Sequence, residues 1–187
     1  GVTFVEDYLA TSGLMIDYRK ATNWNPLENN EAPSDLRSFY RLLDKKSHPD
    51  GKQFNYVSPN SDLLGWIIER STGERFSDLL SDLFWKPLGA TMPSYITVDR
   101  LGAPRVAGGL CTTAIDLALV GQLFLDYGFT NGQQILPKNW LQDIRENGSR
   151  DAWLEGNFAE YFPNRDMHYR SKWYVDHGAN DSKAELV

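Results

Sequence analysis

Cysteine and histidine are scarce in this 187-residue chain, which has one cysteine, Cys111, and three histidines. A single thiol excludes a framework of intrachain disulfides and leaves the cellular compartment open. His48, His168 and His177 form no His-x-x-x-His pair, and Cys-x-x-Cys is absent. The sequence therefore predicts neither a metal site nor a metal cofactor, and no motif for another cofactor is found.

Long apolar runs and basic clusters are also lacking. The longest apolar run, near Leu117 to Leu125, is interrupted by Gly121 and Gln122 and is too short to span a bilayer. Lys and Arg total 19 against 25 Asp and Glu, a formal net charge of −6. We expect neither nucleic acid nor a membrane as a partner. No basic-then-apolar leader opens the chain.

The most informative stretch runs from Phe54 to Gly73, FNYVSPNSDLLGWIIERSTG. Ser58 followed by Pro59 is typical of a helix N-terminus, with Ser58 as the N-cap. Leucines and isoleucines then recur at helical spacing, and Gly73 supplies a stop. This pattern predicts a helix from about Pro59 to Ser71, with an apolar stripe of Leu63, Leu64, Ile67 and Ile68.

Tyr56 precedes this helix by two or three residues, on backbone that the helix start would hold still. From the local pattern alone, two interpretations stand. Tyr56 is either a packed tyrosine that bridges loop and core, or a phenol aimed at a reacting group.

The same stretch resembles the second active-site motif of the serine β-lactamase-related hydrolases. These include class C β-lactamases, D,D-peptidases, esterases and amidases, the amidases that cleave nylon oligomers being the most similar branch. The family pattern is Tyr-x-Asn or Tyr-x-Ser followed by an apolar run and Glu-Arg-x-x-Gly, which here is Tyr56-Val57-Ser58 and then Glu69 to Gly73. Further similar segments follow in order: Ile96 to Asp99, Gly108 to Ala114, Gly148 to Arg150 and Tyr169 to Trp173.

This resemblance implies an α+β fold, the serine β-lactamase-like (D,D-peptidase) fold, of which residues 1–187 would form one domain-sized, mostly helical region with a few short strands. It implies that Tyr56 is the general acid/base and that Ser58 supports the active site. Two interpretations of Ser58 stand. Its side chain holds a lysine or the substrate amide, or it only caps the helix.

The chain lacks the nucleophile motif that the family uses. No serine is followed by lysine three residues later, and Gly-x-Ser-x-Gly is also absent. His177-Gly178-Ala179 resembles the family's third motif, but it follows Trp173 too closely, and we interpret it as a turn. We therefore expect an internal fragment, with flanking sheet segments missing at both ends and the nucleophile outside this chain.

The loop from Leu14 to Pro33 is a possible substrate-contacting segment. In the nylon-oligomer branch a tyrosine of this loop closes over the substrate. Tyr18 and Trp24 are both possible counterparts here, and the alternative is that both only pin the loop to the core.

Several other elements are predicted from periodicity and caps. Helices are expected at Gly1 to Gly13, Ser34 to Lys46 (capped by Ser34) and Phe76 to Phe84 (capped by Ser77), from Thr113 to Gly128 with Thr113 and Asp116 at the cap, and after Pro137. Strands are expected at Tyr95 to Val98 and Met167 to Val175, with a loop between Gly148 and Arg165.

Two functions remain open at this point. The first is hydrolysis of a small amide or ester through an acyl-serine intermediate, in a protein that assembles with the missing segments, either as a monomer or as a homo-oligomer. The second is a non-catalytic, penicillin-binding-like module that binds a peptide-like ligand. A Ser-x-x-Lys upstream of Gly1 in the parent protein would distinguish the enzyme from the binding module.

Overall fold

A computed structural model describes residues 2–6, 35–41, 52–178 and 185–186. Tyr18 and Trp24 lie outside the described residues. The chain divides into two compact units. The first comprises Gly1–Lys45, Val57–Leu123 and Thr130–Ile135, and the second Lys46–Tyr56, Phe124–Phe129 and Leu136–Val187.

The described elements are mostly helices with short strands. In chain order they are β1 Val2–Glu6, α1 Leu36–Arg41, α2 Ser58–Thr72, α3 Phe76–Leu80, a π-helical turn Ser81–Trp85, α4 Lys86–Leu88, β2 Ser94–Val98, β3 Leu110–Cys111, α5 Ala114–Leu125, β4 Phe129–Thr130, β5 Gln133–Gln134, α6 Lys138–Glu146, α7 Arg150–Leu154, a 3₁₀ turn Ala159–Tyr161, β6 Met167–Arg170, β7 Trp173–Asp176 and β8 Glu185–Leu186. None of the described helices is long and apolar enough to cross a bilayer.

The first unit contains a three-stranded sheet in the order β1-β2-β3. β1 runs parallel to β2, with Val2 opposite Ser94, and β3 pairs antiparallel to β2. The predicted helix from Gly1 to Gly13 is therefore wrong over Val2–Glu6. The sequence there, VTFVE, is rich in β-branched and aromatic residues, and pairing with a strand about ninety residues later decides its conformation.

Helix α2 confirms the predicted helix but not its predicted cap. The N-cap is Val57, with extended φ and ψ of −136° and 104°, and no side chain caps the helix. Ser58 is instead the first helical residue, next to Pro59. The helix ends at Gly73, whose φ of 77° is left-handed and whose N–H donates to the Glu69 carbonyl, as expected for a glycine stop.

The buried face of α2 differs from the predicted stripe. Leu64 and Ile67 are 46% and 52% exposed. Pro59, Asp62 and Gly65 are buried instead. A Cβ on Gly65 would come within 2.4 Å of a Val106 methyl, so the absence of a side chain there permits this close packing.

An ion pair fixes the same face of α2. The buried carboxylate of Asp62 accepts hydrogen bonds from the Arg105 guanidinium at 3.2 Å and from the Ala107 N–H at 2.7 Å. The ion pair and the hydrogen bond together offset the free-energy cost of burying the charge of this carboxylate. Polar contacts therefore hold helix α2 against the loop that follows β2. The apolar periodicity of the α2 sequence does not predict these contacts.

The remaining caps of the first unit are partly as predicted. The hydroxyl of Thr113 accepts from the Asp116 N–H at 3.1 Å, which confirms the cap of α5. The cap predicted at Ser77 is wrong, because Arg75 holds the N-cap position of α3. At the start of α1, the Asp35 carboxylate accepts from the Ser38 N–H at 2.8 Å, as a capping side chain does, whereas Ser34, the predicted cap, lies outside the described residues.

The second unit is built on an antiparallel hairpin rather than on one strand. β6 and β7 pair from Met167 opposite Asp176 to Arg170 opposite Trp173, and β8 adds to β7. Ser171 and Lys172 form the two-residue turn, with φ of 49° and 75°. Positive φ at both positions suits a tight hairpin. The predicted single strand from Met167 to Val175 is thus wrong, because neither turn residue is the glycine or asparagine that signals such a turn.

Two short helical elements occupy the predicted loop from Gly148 to Arg165. Helix α7 begins after Ser149, whose hydroxyl accepts from the Ala152 N–H at 3.1 Å. The 3₁₀ turn Ala159–Tyr161 follows. The core of this unit is formed by fully buried side chains of the α6 and α7 helices and the hairpin: Leu141, Ile144, Trp153, Met167 and Val175.

Candidate active site

Tyr56 is the last residue of the first chain segment of the second unit, and the described residues around it, 52–57, form no helix or strand. Its backbone is held by a distant segment, because the Tyr56 N–H donates to the Asn157 side-chain oxygen at 3.1 Å. Two residues earlier, the Phe54 N–H donates to the Ala152 carbonyl at 2.8 Å. The Tyr56 side chain is 42% exposed, so it is open to solvent on a supported backbone.

Aromatic rings surround Tyr56 on its protein side. The ring stacks on Phe158 with centroids 5.0 Å apart and planes at 23°, and it lies nearly parallel to Tyr174 at 6.4 Å. Tyr169 meets it edge-on at 6.4 Å. Such offset and edge-on geometries are those that aromatic pairs favour. The cluster of Tyr56, Phe158, Tyr169 and Tyr174 is called the aromatic cluster below.

The pKa values of two other phenols of the aromatic cluster are raised by burial. Burial raises the pKa of Tyr169 to about 12, with smaller contributions from Tyr174 and Tyr56. Burial also raises the pKa of Tyr174, and Tyr56 adds to the shift. At neutral pH these phenols carry no charge, so the cluster presents uncharged faces and hydroxyl groups.

Ser58 stands two residues beyond Tyr56, at the first position of α2. It is half-buried, and the helix has no side-chain cap. The predicted capping role is therefore wrong, since the cap position belongs to Val57. The spacing of tyrosine and serine found in the sequence is retained, whereas the two candidates for the substrate loop, Tyr18 and Trp24, are outside the described residues.

His168 and His177 form a hydrogen-bonded pair inside the second unit. Nδ1 of the buried His168 lies 2.8 Å from Nε2 of His177, and its Nε2 lies 2.8 Å from the Ile144 carbonyl. Because a carbonyl only accepts, His168 donates through Nε2 and accepts from His177. His177 and Gly178 belong to no helix or strand. Among the described residues, no group of three or more His, Cys, Asp or Glu could hold a metal ion.

A separate cleft of about 610 Å³ opens at the C-terminal end of α2. Arg37, Trp66, Glu69 and Arg70 line it, and Arg37 donates to Glu69 at 2.7 Å. Among the described residues that line it there is no serine, lysine or histidine. We place the candidate site at Tyr56 instead, because Tyr56 is the proton-transfer candidate that the family motif supplies.

Asn157 and Phe158 are two residues of this site that the sequence analysis did not assign to it. They lie about a hundred residues after Tyr56, in a stretch that was interpreted as a loop. The richness of that stretch in asparagine and aromatic residues was the available signal. The local sequence pattern does not predict which distant backbone these asparagine and aromatic side chains contact.

Comparisons with known proteins agree with the motifs. The family profile described as Beta-lactamase matches residues 9–177. The 6-aminohexanoate-dimer hydrolase of Paenarthrobacter ureafaciens is 31% identical over 173 residues, which are 92% of this chain and 43% of that protein. This chain thus spans less than half the length of that relative.

Solved structures show the same fold. A Bacillus anthracis protein described as a candidate 6-aminohexanoate-dimer hydrolase superposes with a TM-score of 0.71 at 25% identity, over 92% of this chain and 43% of that one. A β-lactamase/D-alanine carboxypeptidase from Pseudomonas syringae superposes with a TM-score of 0.52 at 17% identity, over 91% of this chain and 55% of that one, which bears on the fold alone. The chain belongs to the Beta-lactamase family and has part of the serine β-lactamase/D-alanine carboxypeptidase-like α+β fold.

Proposed function

We propose that the full-length protein is a serine hydrolase that cleaves amide or ester bonds, with Tyr56 as its general acid/base. The observation that carries this proposal is the placement of Tyr56. In a chain of the Beta-lactamase family, a half-exposed phenol stands on supported backbone immediately before helix α2, at the position of the tyrosine motif. We place the nucleophile, the serine of a Ser-x-x-Lys motif, outside residues 1–187.

The proposed chemistry has two halves. In acylation, the serine oxygen attacks the substrate carbonyl carbon and Tyr56, as phenolate, accepts the serine proton. The carbonyl reforms as the bond to the amine or alcohol breaks, and Tyr56 gives its proton to that leaving group. In deacylation, water attacks the acyl-serine, Tyr56 accepts a proton from water, and the serine oxygen leaves with that proton. A lysine ammonium beside the phenolate would favour it by charge attraction.

Ser58 is proposed to support this site rather than the helix end. Since the cap position of α2 is Val57, the Ser58 hydroxyl is not committed to capping. In this proposal it holds the lysine or the substrate amide by a hydrogen bond.

The substrate is proposed to be a small amide or ester with an uncharged carbon chain, such as an amino-acid oligomer or a short ester. The aromatic cluster supports this, because ring faces bind uncharged chains by apolar contact. The relative from Paenarthrobacter ureafaciens is described as a hydrolase of the 6-aminohexanoate dimer, which is an amide. A β-lactam is the less favoured substrate.

A binding module remains the second candidate, because residues 1–187 contain no Ser-x-x-Lys. Such a protein would keep the aromatic cluster and bind a peptide-like ligand without turnover. The two candidates differ in one feature of the full-length sequence, which is a Ser-x-x-Lys opening an apolar helix.

Replacing Tyr56 by phenylalanine in the full-length protein tests its proposed role. Tyr56→Phe keeps the ring and removes only the hydroxyl, so we expect acyl transfer to slow by roughly 100- to 10,000-fold with little change in substrate binding. The melting temperature should stay near that of the wild type. The matched control is Tyr95→Phe, which removes a hydroxyl of similar exposure, 48%, from strand β2. A normal rate with a lowered melting temperature would show that Tyr56 only packs.

A further inference from the structure

The main chain around Tyr56 has no secondary structure to hold it, and one distant segment supplies the missing hydrogen bonds. Besides the bonds from Tyr56 to Asn157 and from Phe54 to Ala152, the Asn157 N–H donates to the Phe54 carbonyl at 3.2 Å. Asn157 thus contacts the Phe54–Tyr56 backbone twice, once through its own backbone and once through its side chain.

The ring of Tyr56 is fixed by the next residue along the same segment. Phe158 stacks on it at 5.0 Å and also lies 6.0 Å from Tyr174, at 24° between planes. Consecutive residues therefore contact the two parts of Tyr56, Asn157 its backbone and Phe158 its ring. A residue held at both parts has fewer ways to move its hydroxyl.

Local sequence explains why this segment can approach so closely. Helix α7, capped by Ser149, ends at Leu154 and delivers the chain to Gly156. A Cβ on Gly156 would come within 2.4 Å of the Phe54 carbonyl oxygen. Only glycine lacks that atom, so Gly156 permits the contact that Asn157 and Phe158 then make.

We propose that Asn157 and Phe158 are positioning residues that hold the Tyr56 hydroxyl in place for proton transfer. This inference rests on the proposed function of Tyr56. A general acid/base must lie within about 2.6–3.2 Å of the proton that it transfers. A displacement of about 1 Å can cost on the order of 100-fold in rate. The exposed hydrogen bond that the Asn157 side chain accepts from the Tyr56 N–H contributes little to global stability, so its main effect is on the conformation of Tyr56.

The test compares kcat, KM and melting temperature of variants in the full-length protein, with a short-chain p-nitrophenyl ester as the substrate. Asn157→Leu removes the acceptor for the Tyr56 N–H, and Asn157→Asp retains it. We expect Asn157→Leu and Phe158→Leu to lower kcat by about 10- to 100-fold with KM nearly unchanged. Asn157→Asp should restore most of kcat.

Matched controls separate positioning from packing. Asn147→Leu removes an exposed asparagine of the same unit, which donates to Asp143. Phe124→Leu removes a ring of the same unit that contacts Trp140 and Trp173. Both should keep kcat within about two-fold of the wild type.

The outcomes are distinguishable from those that test the proposed function. If Tyr56→Phe is inactive while Asn157→Leu and Phe158→Leu keep a normal kcat, Tyr56 is catalytic and the positioning inference is wrong. An active Tyr56→Phe overturns the proposed function and this inference together. If Asn157→Leu does not fold, Asn157→Ser, too short to reach the Tyr56 N–H, replaces it under the same criterion.

Discussion

At the scale of single residues, Ser58 shows how one helical position changes the expected role of a side chain. A serine before proline predicts a cap, yet the cap position is Val57 and Ser58 is the first helical residue. In the same chain, Ser149 is a true cap whose hydroxyl accepts from the Ala152 N–H at 3.1 Å. The two serines therefore form a natural comparison.

We expect Ser58→Ala and Ser149→Ala in the full-length protein to have opposite effects. Ser149→Ala should lower the free energy of unfolding by roughly 0.5–2 kcal/mol, the usual value of a lost cap, and leave the rate unchanged. Ser58→Ala should lower the hydrolysis rate and change stability by less than about 0.5 kcal/mol. Urea denaturation and ester kinetics on both variants give the answer. A stability loss without a rate loss for Ser58→Ala would restore Ser58 to a structural role.

At the scale of elements, the β6–β7 hairpin is tied to helix α6 through a titratable pair. The buried His168 bonds both to His177 and to the Ile144 carbonyl at the end of α6. Burial lowers the pKa of His168, and the positive charges of Arg150 and Arg170 and the His177 ring act in the same direction. The bond to the Ile144 carbonyl opposes this shift.

This hairpin should make stability depend on pH. A folded-state pKa below the ordinary 6.5 means that the unfolded chain takes up the proton first as pH falls. We expect the free energy of unfolding to drop as the pH is lowered from about 7.5 to below the ordinary histidine pKa. His168→Gln should flatten this dependence, as measured by urea denaturation of the full-length protein at each pH. Equal pH slopes in the two proteins would exclude His168 as the cause.

Elements with local signals were predictable, and elements fixed by distant partners were not. Pro59 and Gly73 mark the ends of α2 within the sequence itself, so its span was predicted almost to the residue. Strand β1 depends on pairing with β2, and the turn at Ser171-Lys172 lacks the residues that normally signal it. Long-range pairing therefore outweighed the local pattern in β1, whereas the β6–β7 hairpin pairs neighbouring residues without the turn residues that would have signalled it.

The same distinction applies to the candidate site. The family motif identified Tyr56, because tyrosine, serine and the helix start lie within a few residues. Asn157 contacts Tyr56 although the two residues are 101 positions apart in the sequence. Neither hydrophobic periodicity nor a capping pattern predicts a contact of this kind. Sequence reasoning could therefore name the proposed proton-transfer group but not the residues that hold it.

At the scale of the whole molecule, large apolar side chains are exposed on two helices of the first unit. Leu64 and Ile67 on α2, and Ile115 and Leu117 on α5, all lie at the surface of the described residues. Exposed apolar surface of this kind marks regions that pack against other chain segments or other molecules. It agrees with the finding that this chain spans 43% of a 6-aminohexanoate-dimer hydrolase.

The 187-residue chain expressed alone should show no hydrolase turnover. It contains no Ser-x-x-Lys, so no activated serine is available to form the acyl intermediate. We also expect it to associate through its exposed apolar side chains, as measured by analytical ultracentrifugation. Ester cleavage above the buffer rate that is lost on replacing one of its own serines would contradict this account.

The most direct test of the central claim is to find the residue that becomes acylated. The full-length protein is incubated with a fluorophosphonate probe, which labels activated serines, and the modified peptide is identified by mass spectrometry. We predict one labelled serine, followed three residues later by lysine and located outside residues 1–187. Labelling of a serine within these residues, or no labelling of a protein that hydrolyses esters, would contradict the claim.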